Sequence, residues 1–397
     1  MSDIKKLNIL YLEIGRGHPF YLDAIGKLLE DEHKDKIALN IIGVFDVSRG
    51  FFVSSWKAVE RVYRWGGGGG IASYLYGAIR GRKKPDKKGL IENILSHDLR
   101  RYLISNKYPT LVSHPILVPM ISDIVPVYYQ HGEITAPYES AVNGARVIFV
   151  PLAGTADDLV KHGVPKNRIF VSGLCIEPDL AEKAEEYFRN RINRLRSDKP
   201  LIGAFYSSGA EPPDHLKQIV LSIASLCRSG QKGVVYCRAG GRLEKKLAMM
   251  HHAVKLNYAV DNLGLENAIR SNNIAIVPFD DRHQEHDYTM KLFRHFDYFV
   301  GPSHERTNWA AGLGLPMFVL HPIIGSFSPL NHEFLLGNGL AADLHDDYSA
   351  SNFADMLNQL RISGSLETMA KNGFGKYNIF GFRNIVEYII GDLRGER

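Results

Sequence analysis

At 397 residues, the chain exceeds the roughly 250–300 residues at which one hydrophobic core stops growing, so we expect two domains. Its 45% hydrophobic and 23% charged content is typical of a globular protein, and its net charge of +5 does not predict a nucleic-acid partner. No apolar run approaches the roughly 20 residues of a membrane span, and the N-terminus lacks a signal-peptide pattern. The three cysteines, Cys175, Cys227 and Cys237, show no paired or metal-ligand spacing. We therefore expect reduced thiols and a cytoplasmic protein.

A basic and aromatic segment spans residues 49–88, where ten basic residues accompany only two acidic ones. On a helical wheel, Phe52 and Trp56 fall on one face, and lysine and arginine side chains occupy the other. Five consecutive glycines follow Trp65 and end the helix. A helix of this kind can lie on an anionic membrane surface, so Phe52, Trp56 and Trp65 are predicted membrane contacts of a peripheral protein. The alternative is a helix that packs on its own domain and exposes a basic face to water.

Short apolar runs alternate with helical patterns along the rest of the chain. The first series of predicted strands comprises Asn8–Leu12, Ala38–Val44, Thr110–Ser113, Val125–Tyr129, Val147–Val150 and Ile169–Val171. The second comprises Leu201–Tyr206, Gly233–Cys237, Ile274–Val277, Tyr298–Val300 and Met317–Leu320. Nearly continuous Val, Ile and Leu runs separated by helices indicate parallel sheets covered on both faces. Two such series joined by a polar stretch predict an α/β protein with two doubly wound domains and the active cleft between them.

Three loops follow predicted strands and precede predicted helices, where unpaired backbone N–H groups suit phosphates. They are Glu13–His18, Tyr206–Ala210 and Gly301–His304. In the third loop, Ser303 is a predicted N-cap of a helix that runs to about Gly312. Each loop taken alone is equally consistent with a plain structural turn.

Several segments, taken in order, carry a family resemblance. They are GRGHPFYLDAIGKLL at residues 15–29, YPTLVSHP at 108–115, ADDLVKHGVPKNRIFVSGLCI at 156–176, the loop Tyr206–Ala210, the strand and helix at 234–247, Phe279 after a strand, and the strongest match at 301–341. With these motifs, the chain resembles GT-B glycosyltransferases that act on membrane lipids. These are the monogalactosyldiacylglycerol synthases, the processive diacylglycerol glucosyltransferases and, more distantly, the MurG-type N-acetylglucosaminyltransferases.

The resemblance implies a GT-B fold of two Rossmann-like domains. Residues 1–178 would form the acceptor-binding domain and residues 179–379 the nucleotide-sugar-binding domain, with a helix at 380–397 packing back on the first. The implied reaction is inverting transfer of a sugar from a nucleotide sugar, most simply a UDP-sugar, to a lipid or other hydroxyl acceptor. Neither a cofactor nor a metal ion is expected, because no Asp-x-Asp constellation follows a predicted strand.

The resemblance also implies the site residues. His18 is the favoured catalytic base, and its ordinary pKa of about 6.5 suits that role. The alternative base is His131 or Glu133, in the loop where MurG-type enzymes place an acceptor-binding motif, with His18 then binding the diphosphate. The expected donor-binding residues are Gly17, Ser207, Ser208, Gly209, Arg238, Phe279, Gly301, Ser303, His304, Glu305 and Asn331. Arg242 either adds positive charge to the diphosphate site or is a solvated cation.

Two departures from the family pattern concern the donor. The family's ribose-binding glutamate stands seven residues before the proline of Gly-Leu-Pro, and that position is Trp309 here. An indole cannot accept two hydroxyl hydrogen bonds, so Glu305, about one helical turn earlier, is the expected substitute. The family's Gln/Glu pair that binds the sugar would fall within residues 326–329, which contain no amide or carboxylate. The alternatives are a different donor, a binding or regulatory module without turnover, or an epimerase of a soluble nucleotide sugar.

Overall fold

The computed structural model describes residues 4–13, 17–66, 90–248, 253–255, 264, 267, 269, 271 and 273–396. The chain divides into two compact units. Unit 1 contains the described residues up to Pro178 together with the C-terminal segment from Tyr377, and unit 2 runs from Asp179 to Lys376.

Unit 1 is built on a six-stranded parallel sheet of order β2-β1-β3-β4-β5-β6. Its strands are β1 (Lys5–Tyr11), β2 (Ile37–Gly43), β3 (Thr110–Val112), β4 (Val127–Gln130), β5 (Val147–Val150) and β6 (Ile169–Val171). The predicted strands of the first series are all present, with ends shifted by a few residues. The central strands are apolar on both faces because helices cover both sides of the sheet, and two separate clusters of buried side chains lie against it.

The helices of unit 1 connect these strands in chain order. They are α1 (Gly17–His33), α2 (Val44–Val47), α3 (Gly50–Gly66), α4 (Leu90–Ser105), α5 (Leu117–Ile121), α6 (Ala153–Lys161) and, at the C-terminus, the last helix of the chain, α17 (Gly381–Leu393). Another helix, α7 (Pro178–Glu182), begins at Pro178 and otherwise belongs to unit 2. The Ile385, Val386 and Ile389 side chains of α17 are buried in the same cluster as Ile9 and Leu22 of β1 and α1.

The C-terminal segment is held in unit 1 by backbone pairing and by one buried carboxylate. The Leu174 N–H donates to the Asn378 carbonyl at 2.7 Å, beside Gly173. Gly173 has a φ of +102°, and a Cβ there would lie 2.8 Å from the Asn378 carbonyl oxygen, so only glycine fits. Near the end of α17, the Asp392 carboxylate accepts hydrogen bonds from the Arg146 guanidinium, at 2.7 Å, and from the Tyr128 hydroxyl.

The prediction that Trp56 contacts a membrane is wrong, because the Trp56 side chain is buried in unit 1. Its side chain is fully buried among core residues of unit 1, and its indole N–H donates to the Leu95 carbonyl at 3.0 Å. Phe52 is half-buried and stacks on the His97 ring at 4.6 Å between centroids. The side of α3 that carries Trp56 therefore packs on its own unit, and the Lys57 and Arg61 side chains are exposed, which is the second of the two interpretations. The side chain of Trp65 lies outside the described residues.

Unit 2 is built on a seven-stranded parallel sheet of order β13-β12-β11-β7-β8-β10-β9. Its strands are β7 (Ile202–Tyr206), β8 (Lys232–Arg238), β9 (Ala253–Lys255), β10 (Ile274–Phe279), β11 (Tyr298–Gly301), β12 (Met317–Leu320) and β13 (Ala341–Leu344). The two edge strands, β9 and β13, are absent from the predicted series. Each is short and pairs on one side only, so neither shows the long apolar run of a central strand.

The helices of unit 2 cover both faces of its sheet. They are α8 (Ala184–Leu195), α9 (Pro213–Ser229), α10 (Arg242–Leu247), α11 (Arg282–Leu292), α12 (Thr307–Leu313), α13 (Ser328–Gly337), α14 (Asp347–Ser351), α15 (Phe353–Ile362) and α16 (Ser365–Gly373). None of the helices in the described part of the chain is long and apolar enough to cross a membrane.

The polar stretch between the two strand series is an integral part of unit 2. Arg191 of α8 is 1% exposed, and its guanidinium donates to the carbonyls of Phe296 and Leu313 at 3.1 and 2.7 Å. Burial lowers the pKa of Arg191 to about 9, which keeps the group charged at neutral pH. Arg194 donates to the fully buried Asp297 carboxylate at 2.6 Å. The charged residues of this stretch therefore anchor α8 to the sheet.

We expect Trp56→Ala to lower the free energy of unfolding of unit 1 by about 3–5 kcal/mol, because it empties a large buried site. The matched control is Phe51→Ala on the same helix, since Phe51 is 69% exposed and its truncation should change stability by less than about 0.5 kcal/mol. Urea unfolding of both full-length variants, followed by circular dichroism, measures the difference. Equal midpoints for the two variants would contradict the packing of α3 described above.

Candidate functional site

The strand order of the second sheet reverses between two neighbours, β7 and β11. From β7 the chain passes to β8, β9 and β10 on one side, and it then returns to the other side of β7 at β11. Doubly wound sheets bind their ligands beyond the carboxyl ends of the strands at such a switch point. The loops after β7 and β11 therefore form the candidate ligand site of unit 2.

The loop after β7 contains Ser207, Ser208 and Gly209, the predicted diphosphate contacts. Both serine hydroxyl oxygens are buried, and neither has a hydrogen-bond partner among the described residues. Gly209 is exposed beside them. A buried polar group without a partner costs roughly 1–3 kcal/mol, so a loop that keeps two such hydroxyls is suited to a ligand that supplies acceptor oxygens.

Side-chain hydrogen bonds within the protein stabilise the loop after β11, and they correct one predicted role. Ser303 is not a helix N-cap: α12 begins at Thr307, and the Ser303 hydroxyl donates to the Ser328 carbonyl at 3.0 Å. Asn331 of α13 donates its side-chain N–H to the Ser303 carbonyl at 3.1 Å. Both side chains are buried. Their hydrogen bonds shape the loop. The diphosphate contact expected at Ser303 is with the backbone of residues 303–304, and it stays a prediction, as does the donor-binding role of Asn331.

Gly301 and His304 are two further residues of this loop. A Cβ on Gly301 would lie 3.5 Å from the Tyr206 carbonyl oxygen, so the loop runs close to the end of β7. His304 is half-buried, and the Ser328 hydroxyl lies 3.2 Å from its Nδ1. Burial lowers the pKa of His304, which leaves the ring neutral at pH 7. His304 can therefore offer a hydrogen bond to a ligand but no positive charge.

Arg306 is a residue of this site that the sequence analysis missed. Its guanidinium lies 3.8 Å from the centroid of the Tyr206 ring and 2.5 Å from the Glu285 carboxylate. The predicted ribose ligand Glu305 lies 3.5 Å from the same guanidinium, so its carboxylate neighbours a cation. Burial raises the pKa of the Tyr206 hydroxyl to about 12, so that group stays neutral. The only signal in the sequence is the Glu-Arg pair that follows His304.

Trp309 is part of the core of unit 2. It is 4% exposed and packs edge-on against Tyr206, Phe293 and Phe299, with centroid distances of 5.9, 5.2 and 5.8 Å. The position where the resembled family has its ribose-binding glutamate is therefore filled by an aromatic cluster beneath the loop.

The ends of β8 and β10 bring Arg238 and Phe279 together. The two residues are register partners in the sheet, with Arg238 exposed and Phe279 half-buried. Arg242, at the start of α10, donates to the Glu211 carbonyl at 2.6 Å, so it holds the end of the loop after β7. Asp281 is the N-cap of α11 and accepts from the His283 and Gln284 N–H groups. Arg238 is thus the better placed of the two predicted cations to meet a ligand.

A second switch point lies in unit 1 between β1 and β3, where His18 follows β1. The β1 strand pairs with β2 on one side and with β3 on the other. The rings of His18 and His114 lie 4.5 Å apart between centroids, and the Ser113 hydroxyl donates to the His18 carbonyl at 2.7 Å. Gly17 begins α1, and residues 14–16 lie outside the described part of the chain. The predicted base therefore stands at the carboxyl edge of the first sheet beside a second imidazole.

The loop after β4 places His131 in a structural role, which does not fit the predicted role of base. His131 is 2% exposed, its Nε2 bonds to the Thr135 carbonyl at 3.0 Å, and its Nδ1 lies 3.3 Å from the Tyr129 hydroxyl. Burial lowers its pKa to about 4. At Gly132 a Cβ would lie 2.2 Å from the Tyr21 ring, so the loop packs tightly on α1. Glu133 is 9% exposed in the same loop, and its role stays a prediction.

Comparison with known proteins supports the fold. No family model matches the chain. No curated protein matches it either. Among solved structures, the chain is similar to UDP-GlcNAc 2-epimerase from Neisseria meningitidis bound to UDP-GlcNAc, with 12% identity, a TM-score of 0.56, and coverage of 99% of this chain and 100% of that one.

Two glycosyltransferase structures are similar over the same extent. MurG from Acinetobacter baumannii has 14% identity and a TM-score of 0.53, with coverage of 97% of this chain and 99% of that one. Phytolacca americana UGT2, solved with UDP-2fluoro-glucose and pterostilbene, has 10% identity and a TM-score of 0.55, with coverage of 98% and 100%. These similarities confirm the predicted GT-B fold of two Rossmann-like domains. The finer resemblance to galactolipid and glucolipid synthases stays a prediction.

We expect the free energy of unfolding of unit 1 to fall as the pH drops from about 6.5 to about 4. In this range His131 is protonated in the unfolded chain but stays neutral in the folded chain, because burial lowers its pKa to about 4. One such proton corresponds to about 1.4 kcal/mol per pH unit within that window. His131→Gln should remove this contribution, and the exposed His97→Gln should retain it. Urea midpoints measured across the pH range test the difference, and parallel curves for wild type and His131→Gln would refute the buried neutral state.

Proposed function

We propose that the chain is a nucleotide-sugar-dependent glycosyltransferase that transfers a sugar, with inversion and without a metal, to a hydroxyl acceptor. The observation that carries this proposal is the pair of buried serine hydroxyls, Ser207 and Ser208, at the switch point of unit 2. In this proposal, unit 2 binds the nucleotide and unit 1 binds the acceptor.

The chemistry of a nucleoside diphosphate matches the loop after β7. Its oxygens are charged acceptors, and a hydroxyl donor to a charged oxygen forms a stronger hydrogen bond than one between neutral groups. Binding of the diphosphate would give each serine hydroxyl a hydrogen-bond acceptor, which it lacks among the described residues. The exposed Arg238 would add positive charge, and Phe279, its register partner, offers an apolar surface for a nucleobase. A UDP-sugar is the proposed donor, with Glu305 as the proposed ribose ligand.

His18 is the proposed base. A hydroxyl acceptor must lose its proton as it attacks the sugar, and an imidazole is a common acceptor of such a proton. Its position at the switch point of the first sheet supports this role, as does its fixed backbone, which the Ser113 hydroxyl holds. The alternative His131 is already engaged through both ring nitrogens.

A lipid acceptor at an anionic surface is the finer form of the proposal. Its support is the outer face of α3, which exposes Lys57 and Arg61 together with Phe51 and Val62, 69% and 51% exposed. A basic face with exposed apolar side chains favours a peripheral position on anionic lipid. Trp56 no longer contributes to this argument, because it is buried.

A nucleotide-sugar 2-epimerase is the second candidate. Two observations favour it: the structural similarity to an epimerase over nearly the whole chain, and the burial of Trp56, which removes an aromatic side chain from the proposed lipid-binding face. Both candidates use the nucleotide site of unit 2, so they differ in the reaction and not in the donor.

The donor site is tested by thermal unfolding of the full chain with and without UDP. Ligand at about 100 times its dissociation constant stabilises the folded state by roughly 2.7 kcal/mol, so wild type should show a clear shift. Ser207→Ala and Ser208→Ala should unfold like wild type without UDP, because each removes an unpartnered hydroxyl. With UDP, each should bind about tenfold more weakly or worse, which corresponds to 1.4 kcal/mol or more.

Ser303→Ala is the matched control for these serine variants. Its hydroxyl is bonded within the protein, so this variant should lose about 1 kcal/mol of stability even without ligand. Absence of a UDP shift in wild type would remove the donor-site proposal. If Ser207→Ala and Ser208→Ala unfold at a lower temperature than wild type without ligand, the two hydroxyls stabilise the fold, which would contradict their proposed role in ligand binding.

The reaction is tested by incubating the chain with UDP-GlcNAc in deuterated water, with and without diacylglycerol vesicles or soluble glycoside acceptors. A glycosyltransferase releases UDP only when an acceptor is present, and it leaves the C2–H bond of the sugar intact. An epimerase exchanges that hydrogen with solvent without an acceptor. We expect acceptor-dependent UDP release, and a loss of about 10²–10⁴ in its rate for His18→Ala. Deuterium at C2 without acceptor would replace the transferase by the epimerase.

A further inference from the structure

A cluster of side chains that can bind a metal ion lies in unit 2, and none of its members is among the ligand-binding residues discussed above. It consists of His321, which follows β12, His332 on α13 and Asp343 on β13. The Nε2 atoms of the two histidines lie 3.0 and 2.7 Å from the same Asp343 oxygen, Oδ1. All three ligand atoms fall within 4.8 Å of one another.

We propose that His321, His332 and Asp343 bind a divalent transition-metal ion of the zinc class. Two imidazoles and one carboxylate are a donor set that suits zinc, iron, cobalt and nickel, and three protein ligands leave a coordination position for water or another ligand. This site is independent of the proposed nucleotide site and of the proposed reaction, neither of which requires it.

The distances within the cluster are close to those around a bound ion. Ligand atoms at about 2.0–2.1 Å from a zinc ion in tetrahedral geometry stand roughly 3.3–3.4 Å apart. The two separations to Asp343 Oδ1, 3.0 and 2.7 Å, are shorter than this by roughly 0.3–0.4 and 0.6–0.7 Å. An ion can therefore enter the cluster after small side-chain movements, in place of the protons that the imidazoles now share with the carboxylate.

The surroundings hold these ligands in place and leave one side open. The β12 and β13 strands pair in register, with Val319 opposite Asp343, so His321 and Asp343 start from adjacent strands of one sheet. The backbone N–H of His321 donates to the Gln218 side chain at 2.9 Å. Both cluster histidines are 20% exposed and the Asp343 side chain is 9% exposed. An ion can reach this site from solvent, whereas the ligands themselves are largely fixed by packing.

A third histidine adds to the polarity of the site. His345, 69% exposed, places its Nε2 3.7 Å from the other Asp343 oxygen, Oδ2. Three histidines thus surround a single carboxylate. The arrangement is that of a ligating carboxylate whose remaining oxygen faces an outer histidine.

Cobalt binding to the full-length chain tests this site directly. After dialysis against a chelator, we expect the protein to bind one Co²⁺ per chain with visible d–d absorption, and Zn²⁺ to abolish that absorption by displacement, because zinc binds nitrogen and oxygen sites more tightly than cobalt. Asp343→Asn and His332→Gln should each weaken Co²⁺ binding by about 100-fold or more, since outer partners alone account for 10–100-fold. The exposed His283→Gln in the same unit should bind as wild type does.

Circular dichroism and the unfolding midpoint, both measured in chelator, verify that each variant is folded. If Asp343→Asn does not fold, His332→Gln provides the test. Wild type without a one-to-one cobalt spectrum would overturn the proposal and leave the cluster as a hydrogen-bonded triad. Binding that persists unchanged in the folded His332→Gln and Asp343→Asn variants would overturn it as well. Nucleotide binding is measured separately from cobalt binding. A negative cobalt result therefore does not affect the UDP experiment, and a negative UDP result does not affect the cobalt experiment.

Discussion

The structure depends on one constraint: a parallel sheet is stable only when helices cover both of its faces. In both units, central strands such as β1 and β7 are buried on both sides from Leu7 and from Gly203 to their ends. A ligand therefore meets these central strands at their carboxyl ends. The two switch points, between β1 and β3 and between β7 and β11, are therefore where His18 and the Ser207–Ser208 pair stand.

At the carboxyl ends of the strands of unit 2, some polar side chains are hydrogen-bonded within the protein and shape the loops, whereas others have no such partner and can bind a ligand. Ser303 and Asn331 use their polar atoms on the backbone and on each other, and they set the course of the loop after β11. Arg306 lies on the Tyr206 ring above the buried Trp309. The hydroxyls of Ser207 and Ser208 have no hydrogen-bond partner among the described residues, which is why the nucleotide proposal depends on them.

Unit 1 shows the same separation through burial. Histidine and tryptophan often occur in binding and catalytic sites, yet His131 and Trp56 are both buried here. Each has a ring nitrogen hydrogen-bonded to a backbone carbonyl. His18 shares neither feature: it is half-buried and lies beside a second imidazole. The burial of Trp56 leaves only the outer face of α3 as support for a lipid surface.

The sequence by itself determined the α/β class, the central strands and the loops that follow them, because long apolar runs and strand-end glycines are local signals. It also indicated the GT-B resemblance through motifs in their order. Only the tertiary structure decided the roles of Trp56, Ser303 and Asn331, the core position of Arg191, and the edge strand β13. The cluster of His321, His332 and Asp343 belongs to this second group, since its members come from three elements with no motif spacing. Burial and hydrogen-bond partners depend on residues distant in the chain, so a pattern read along the chain cannot supply them.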